Sequence, residues 1–227
     1  MKQSLEFSAL LFSAYILCSV PTFGQSGFGL NAGGSFSNFN YGEQVSSVDN
    51  FDNKNKEGLT GGLKLDFDLG DNEVLKISPE LFIIQNGSNE YFTNQNIADL
   101  ITRRVSLDYI GLYLPFTIYV PTEEGSDEYN GVMLKARLFS DFVINGEIKD
   151  GSNGTSDISF QNTLDKFDFG YSVEGGFLLQ GFSIMVGYNW GLKNIEFNDS
   201  LGGTNSNNYL LNNKGLTLQV GYVAKLD

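Results

Sequence analysis

The chain has 227 residues, enough for one large domain, with hydrophobic residues at 41%, charged residues at only 18% and aromatics at 14%. That content of Phe and Tyr excludes disorder. A mean hydropathy of −0.14 excludes a bundle of membrane helices, and a net charge of −13 excludes a nucleic-acid partner, whose phosphates would be repelled.

There is no His, and the one Cys is Cys18. Imidazole-dependent catalysis, His-rich zinc sites, disulfides and thiolate clusters are thereby excluded. No catalytic, cofactor-binding or metal-ligating residue is assigned, no cofactor is expected, and the chain is read as not an enzyme.

Lys2 precedes an apolar run from Phe7 to Val20, too short for the roughly 20 residues of a spanning helix. Pro21 ends it, and Thr22 and Gly24 put small residues at the −3 and −1 positions of a cut after Gly24. This is the layout of a secretory signal peptide. Residues 1–24 are read as that leader, with Cys18 inside it, and 25–227 as one exported barrel domain.

The rest alternates with period two, segment after segment. Phe28, Leu30, Ala32, Gly34 and Phe36 form the first apolar set, and Leu59, Gly61, Leu63, Leu65, Phe67 and Leu69 the second. Leu75, Ile77, Pro79, Leu81 and Ile83 follow, with Phe82 and Ile84 blurring the polar face. Leu112 to Val120 is the fourth; Val105, Leu107 and Tyr109 precede it in the opposite parity, which predicts a bulge near Gly111. Val132 to Leu138, Phe167 to Phe177, Phe182 to Leu192 and Leu216 to Leu226 complete eight.

Long polar connections (38–57, 87–103, 145–166 and 194–214) alternate with short ones (70–73, 121–130 and 180–181). Long-short alternation is that of an up-and-down barrel with short periplasmic turns and long external loops. The fold class expected is all-β: an eight-stranded antiparallel up-and-down transmembrane β-barrel in the outer membrane.

A secreted or periplasmic lipocalin-like barrel holding a small apolar ligand has the same period with the faces exchanged. Size favours the membrane arrangement. Eight strands enclose an interior just wide enough for side chains, and the apolar set is bulky where the polar set is rich in Gly, Ser, Asn and Thr. Phe28, Phe67, Tyr109, Phe167, Phe177, Phe182, Trp190 and Tyr222, near strand ends, suit interfacial girdles.

Ile77-Ser78-Pro79-Glu80-Leu81 resembles the third strand of the PorT-like outer-membrane β-barrel family, common in Bacteroidetes. Leu112-Tyr113-Leu114-Pro115-Phe116 is similar to that family's fourth strand, with Tyr113 in place of its usual Glu, and Tyr188-Asn189-Trp190-Gly191-Leu192 to a later one. The resemblance implies an eight-stranded outer-membrane barrel and no particular activity. Gln219 to Leu226 also resembles the terminal signal read by the barrel-assembly machinery, without the usual last aromatic. The partners expected are outer-membrane lipid, that machinery during biogenesis, and an unnamed protein at the external loops.

Asp66 and Asp68 lie about 7 Å apart on one strand face, and such a pair can do acid–base work if one carboxyl holds its proton. Lys64, Lys76, Glu80, Lys135, Arg137, Asp141 and Glu174 share that face, so the simpler expectation is an ion-pair network plugging the lumen. The acids and amides of the outer connections (Asp49, Asp52, Glu57; Asn198, Asp199, Asn205, Asn207, Asn208, Asn212, Asn213) read as solvated loops, without calcium-loop spacing. Glu123, Glu124, Asp127 and Glu128 read as a solvated acidic turn. Asn86-Gly87-Ser88 and Asn153-Gly154-Thr155 match a glycosylation pattern. Pro79 and Pro115 each remove a ladder donor.

Overall fold

A computed structural model describes residues 25–41, 52–69, 74–93, 100–122, 130–150, 154–157, 166–193, 195–199 and 207–225. The leader expected over 1–24, the acidic turn at 123–128 and Asn153 lie outside the described residues.

Eleven strand segments make one sheet: β1 (Gln25–Tyr41), β2 (Asp52–Asp68), β3 (Leu75–Ile77), β4 (Glu80–Thr93), β5 (Leu100–Pro121), β6 (Gly131–Asp150), β7 (Gly154–Asp157), β8 (Phe167–Leu179), β9 (Phe182–Gly191), β10 (Ile195–Asp199) and β11 (Asn207–Lys225). They form eight staves. β3 and β4 are halves of one stave broken at Ser78-Pro79, whereas β7 and β10 are short continuations pairing with β6 and β11. Each stave pairs antiparallel with its neighbours in chain order, and β11 pairs β1 from Gly27↔Lys225 to Tyr41↔Leu211. The ring closes, so no long edge is left unpaired.

Short turns sit together at one end. Leu69 N–H donates to Leu75 O at 2.8 Å, and Thr122 N–H to Asn130 O at 2.9 Å. Gln180 and Gly181 both have positive φ (50° and 83°), the two-residue hairpin geometry that matches strand twist.

Alternation decides the faces. On β6, Val132, Leu134 and Leu138 point outward with 36–60% of their surface free, while Lys135 and Arg137 are buried. Leu112, Phe116, Ile118, Val173, Val186, Leu218 and Val220 are likewise exposed on their staves. An exterior band of bare aliphatic side chains around a charged interior is the inverse of a water-soluble barrel, and only hydrocarbon satisfies it. The lipocalin-like alternative needs the opposite arrangement. Aromatics rim the band: Phe142, Phe167 and Phe169 pack in series, as do Tyr171, Trp190 and Tyr188, and Phe182 packs on Tyr222 at the short-turn end.

Two expectations are corrected. β5 carries no bulge at Gly111; its register with β4 runs unbroken from Thr93↔Leu100 to Glu80↔Tyr113. Val105, Leu107 and Tyr109 therefore point inward at 0% exposure, and Tyr109 is a lumenal side chain rather than a girdle residue. The extra residue lies on β6, where Ile144 is skipped between Tyr109↔Val143 and Asp108↔Asn145.

The parity switch has a physical cause. From Leu112 downward the outward face meets lipid and must be apolar. Above Tyr109 the outward side chains are Arg104, Ser106 and Asp108, so the stave has left the hydrocarbon and assumes the inside-apolar order of a soluble sheet.

The second correction concerns the long connections. Much of 52–57, 87–93, 100–103, 145–150, 154–157, 195–199 and 207–214 is strand rather than loop. β5 has 22 residues and β6 has 20, against the roughly 9–11 needed to cross a bilayer. The barrel rises well beyond the membrane.

The prolines cost little. Pro79 O accepts from Leu65 N–H and Pro115 O accepts from Ser78 N–H, both at 3.1 Å, so each keeps its acceptor role and loses only a donor.

Candidate functional site

Among the described residues, charged and polar side chains gather in the interior. Nearest the short-turn end, Tyr119, Met133, Leu178 and Met185 form an apolar floor. A cavity of about 10 Å³ remains beside it, between Lys64, Lys76 and Thr117, barely room for a single water.

Above the floor lies an ion-pair layer. Lys64 Nζ donates to Asp66 Oδ2 at 2.9 Å and Lys76 Nζ to Asp68 Oδ1 at 2.7 Å. Asp66 and Asp68 are therefore each neutralised by their own lysine, and the acid–base pair is not formed. Glu80 accepts from Lys135 Nζ and from one terminal nitrogen of Arg137, each at 3.4 Å. The other terminal nitrogen bridges Glu174 and Asn189 Oδ1, and Arg137 Nε donates to Ser172 Oγ at 2.8 Å. The guanidinium also lies over the rings of Tyr113 (4.9 Å) and Phe82 (5.5 Å). Arg137 thus joins β4, β6, β8 and β9 across the barrel, with planar donors suited to several acceptors at once.

Asp141 shares the face but not the network. Tyr113 Oη donates to its Oδ2 at 3.0 Å, and Asp168 stands directly across the ladder from it. Both carboxylates are buried, at 1% and 0% exposure. Tyr113 itself stands opposite Glu80, where a Glu would face a like charge. Further out, Phe39, Phe82, Ile84, Val105, Leu107 and Ile148 belong to a buried apolar cluster inside the ring, and Glu90 pairs with Arg103 at 3.6 Å near the top.

Of the lumenal residues picked out by alternation, Lys64, Asp66, Lys76, Glu80, Lys135, Arg137, Asp141 and Glu174 are buried here, and Asp68 is half-buried. Three were missed or misplaced. Asp168, not among the charged residues singled out above, is 0% exposed inside the barrel; Asn213, expected in a solvated loop, is 3% exposed there; and Tyr109, expected in an interfacial girdle, faces inward. The signal for Asn213 is its register: it pairs with Phe39 three positions before Leu216 turns outward, and an odd spacing puts it on the opposite, inward face. Asn86 and Ser88 of the first glycosylation pattern are buried on β4 and inaccessible.

Among the described residues no three His, Cys, Asp or Glu side chains cluster as a metal site, and no helix is long and apolar enough to cross a membrane. Outside the barrel, an apolar groove of about 510 Å³ runs beside Pro79, lined by Phe28, Leu63, Leu65, Leu81 and Leu112. It lies on the lipid-facing band.

A closed ring of eight antiparallel staves, apolar outside and charged within, defines a transmembrane β-barrel of the outer-membrane type. No family model and no curated protein matches the chain. Among solved structures it is similar to Neisserial surface protein A (11% identity, 88% of this chain and 98% of that one, TM-score 0.42). It is also similar to the outer membrane protein OprG from Pseudomonas aeruginosa (8% identity, 89% and 97%, TM-score 0.48). A third is Ail, the attachment invasion locus protein of Yersinia pestis (12% identity, 87% and 99%, TM-score 0.38).

Proposed function

We propose that the chain is an outer-membrane barrel with a sealed lumen, acting through the β-structured extension and loops at its long-connection end as an interaction or assembly-linked protein. The observation that carries this reading is the filling of the interior. An apolar floor, a cross-barrel ion-pair layer and an outer apolar core follow one another, with a residual cavity of about 10 Å³. Such a lumen does not conduct, which moves function to the exterior.

The outward end offers that surface, because the staves continue past the lipid band with polar outward faces. Its acidic balance suits protein or cationic partners rather than polyanions. In this reading the 1–24 leader directs export and the β1–β11 seam is closed by the barrel-assembly machinery. Kinship with the PorT-like family is supported by the Ile77–Leu81 motif, whose Glu80 is a centre of the ion-pair layer.

Planar-bilayer recording of the full-length mature protein tests the sealed lumen, combined with cell fractionation and gel mobility before and after boiling. The expected result is recovery with outer membranes, a heat-dependent mobility shift and no stepwise conductance. Steady single-channel conductance would refute it, as would recovery in soluble form without detergent.

A further inference from the structure

The chain carries a net charge of −13, yet one row on the outer face of the extension holds cations and no acid. Across the ladders, Lys54 of β2 pairs with Asn89 of β4, Asn89 with Arg104 of β5, Arg104 with Lys149 of β6, and Lys149 with Thr155 of β7. Lys54, Arg104, Lys149 and Thr155 are exposed and Asn89 is half-buried. Arg104 and Lys149 are directly opposed, and like charges so placed repel.

The row is built around Arg104. Its Nε donates to Asn89 Oδ1 at 3.0 Å, and Asn89 Nδ2 donates to Asn55 O at 2.9 Å, so the guanidinium is held from β2 through β4. Its terminal nitrogens have no ion pair among the described residues, which leaves a planar fork suited to phosphate. Lys56 adds a cation one row closer to the membrane. A Cβ on Gly87 would collide with its stem, so Lys56 crosses the outer face of β4 where Gly87 pairs with Ser106 of β5. The acids nearby already have partners: Asp52 meets Lys54 at 3.7 Å, Glu147 meets Lys149 at 3.3 Å, and Asp108 accepts from Asn145 Nδ2 at 3.1 Å. Asp157 stands opposite Glu147 on the β7 flank. Such exposed pairs are weak and yield to a competing anion.

Height indicates what the row meets. Ile110 is the topmost outward apolar residue of the lipid band on β5, and Arg104 lies six residues above it, about 15 Å along the membrane normal for staves tilted about 40°. Long basic side chains reach back toward the interface, which brings the cluster to the level of a bulky sugar headgroup. We infer that Lys56, Arg104 and Lys149, with Arg104 positioned by Asn89, bind a phosphate on the sugar headgroup of an outer-leaflet glycolipid. The site is open and shallow, so a free anion is held weakly and screened by salt. An anion tethered in the adjoining membrane is presented at high effective concentration. This inference rests on the reading above that the long-connection end faces outward.

The test uses the full-length mature protein folded in detergent, with fluorescently labelled lipopolysaccharide as probe and anisotropy as readout. Binding is expected to saturate, and to weaken roughly tenfold or more when the probe's phosphates are removed or in the Arg104→Gln/Lys149→Gln double variant. Glu147→Gln, which removes a competing carboxylate, should tighten binding about threefold. These substitutions lie outside the lumen and should keep the heat-dependent mobility and the absence of conductance, so a failure here leaves the sealed-lumen reading standing. No saturable binding by the parent, equal binding of the phosphate-free probe, or undiminished binding by the double variant would each overturn the proposal. Displacement of the probe by millimolar inorganic phosphate would overturn the lipid assignment and make this a site for free phosphate.

Discussion

Replacing Arg137 with Met keeps most of the side chain's length and removes every charge-assisted bond it makes. Glu174 then loses its cation, Glu80 keeps only Lys135 at 3.4 Å, and Asn189 Oδ1 and Ser172 Oγ lose a donor. All of these groups are buried, with Glu80 and Glu174 at 1% exposure. Breaking a buried pair from one side costs about 3–5 kcal/mol, most of it the burden of the abandoned charge. Arg137→Met should therefore lose about 3–5 kcal/mol by urea unfolding in lipid vesicles, followed by Trp190 fluorescence and gel mobility. Arg137→Met/Glu174→Gln removes the stranded carboxylate and should recover at least half of that loss, a coupling that a double-mutant cycle reads directly. A single variant within about 1 kcal/mol of the parent, or a double variant no better than the single, would refute the view that this charge layer is a mutually dependent unit.

Two other substitutions probe the lipid face and the short-turn end. Leu138→Arg places a charge on the outward band, where Leu138 is 60% exposed; it should cost about 2–4 kcal/mol in vesicles, and an unchanged unfolding midpoint would show that this band does not meet hydrocarbon. Gly181→Val forces a β-branched residue to φ near 83° and should cost about 1–3 kcal/mol and slow refolding of the β8–β9 hairpin, measured by the return of the compact gel species.

The barrel was legible because one side of each stave must satisfy hydrocarbon, and the alternation this imposes survives in every segment from Phe28 to Val220. Where that selection stops, legibility stops with it. Beyond Tyr109 on β5, and across 87–91 and 212–214, outward faces meet water. There, polar residues on a strand look like polar residues in a loop. The same loss of contrast hid Asn213. The ion-pair layer was readable from shared parity alone, since Lys64, Glu80, Lys135, Arg137 and Glu174 all fall on the non-lipid face. Which partner each took was not, because that depends on the stagger between staves. Asp66 and Asp68 show the difference: they share a face as expected, yet Lys76 arrives from the next stave to claim Asp68.

The staves that rise past the bilayer make the outer surface a matter of discrete height. An antiparallel hairpin grows or shrinks by one residue in each arm, and each such step moves its tip about 3.3 Å along the strand. Insertions in the outer arms can thus lengthen or shorten the projection without disturbing the ion-pair layer or the lipid band. The membrane section acts as a fixed post and the upper section as an adjustable mast, so the reach of the tips can change while the anchoring chemistry stays the same.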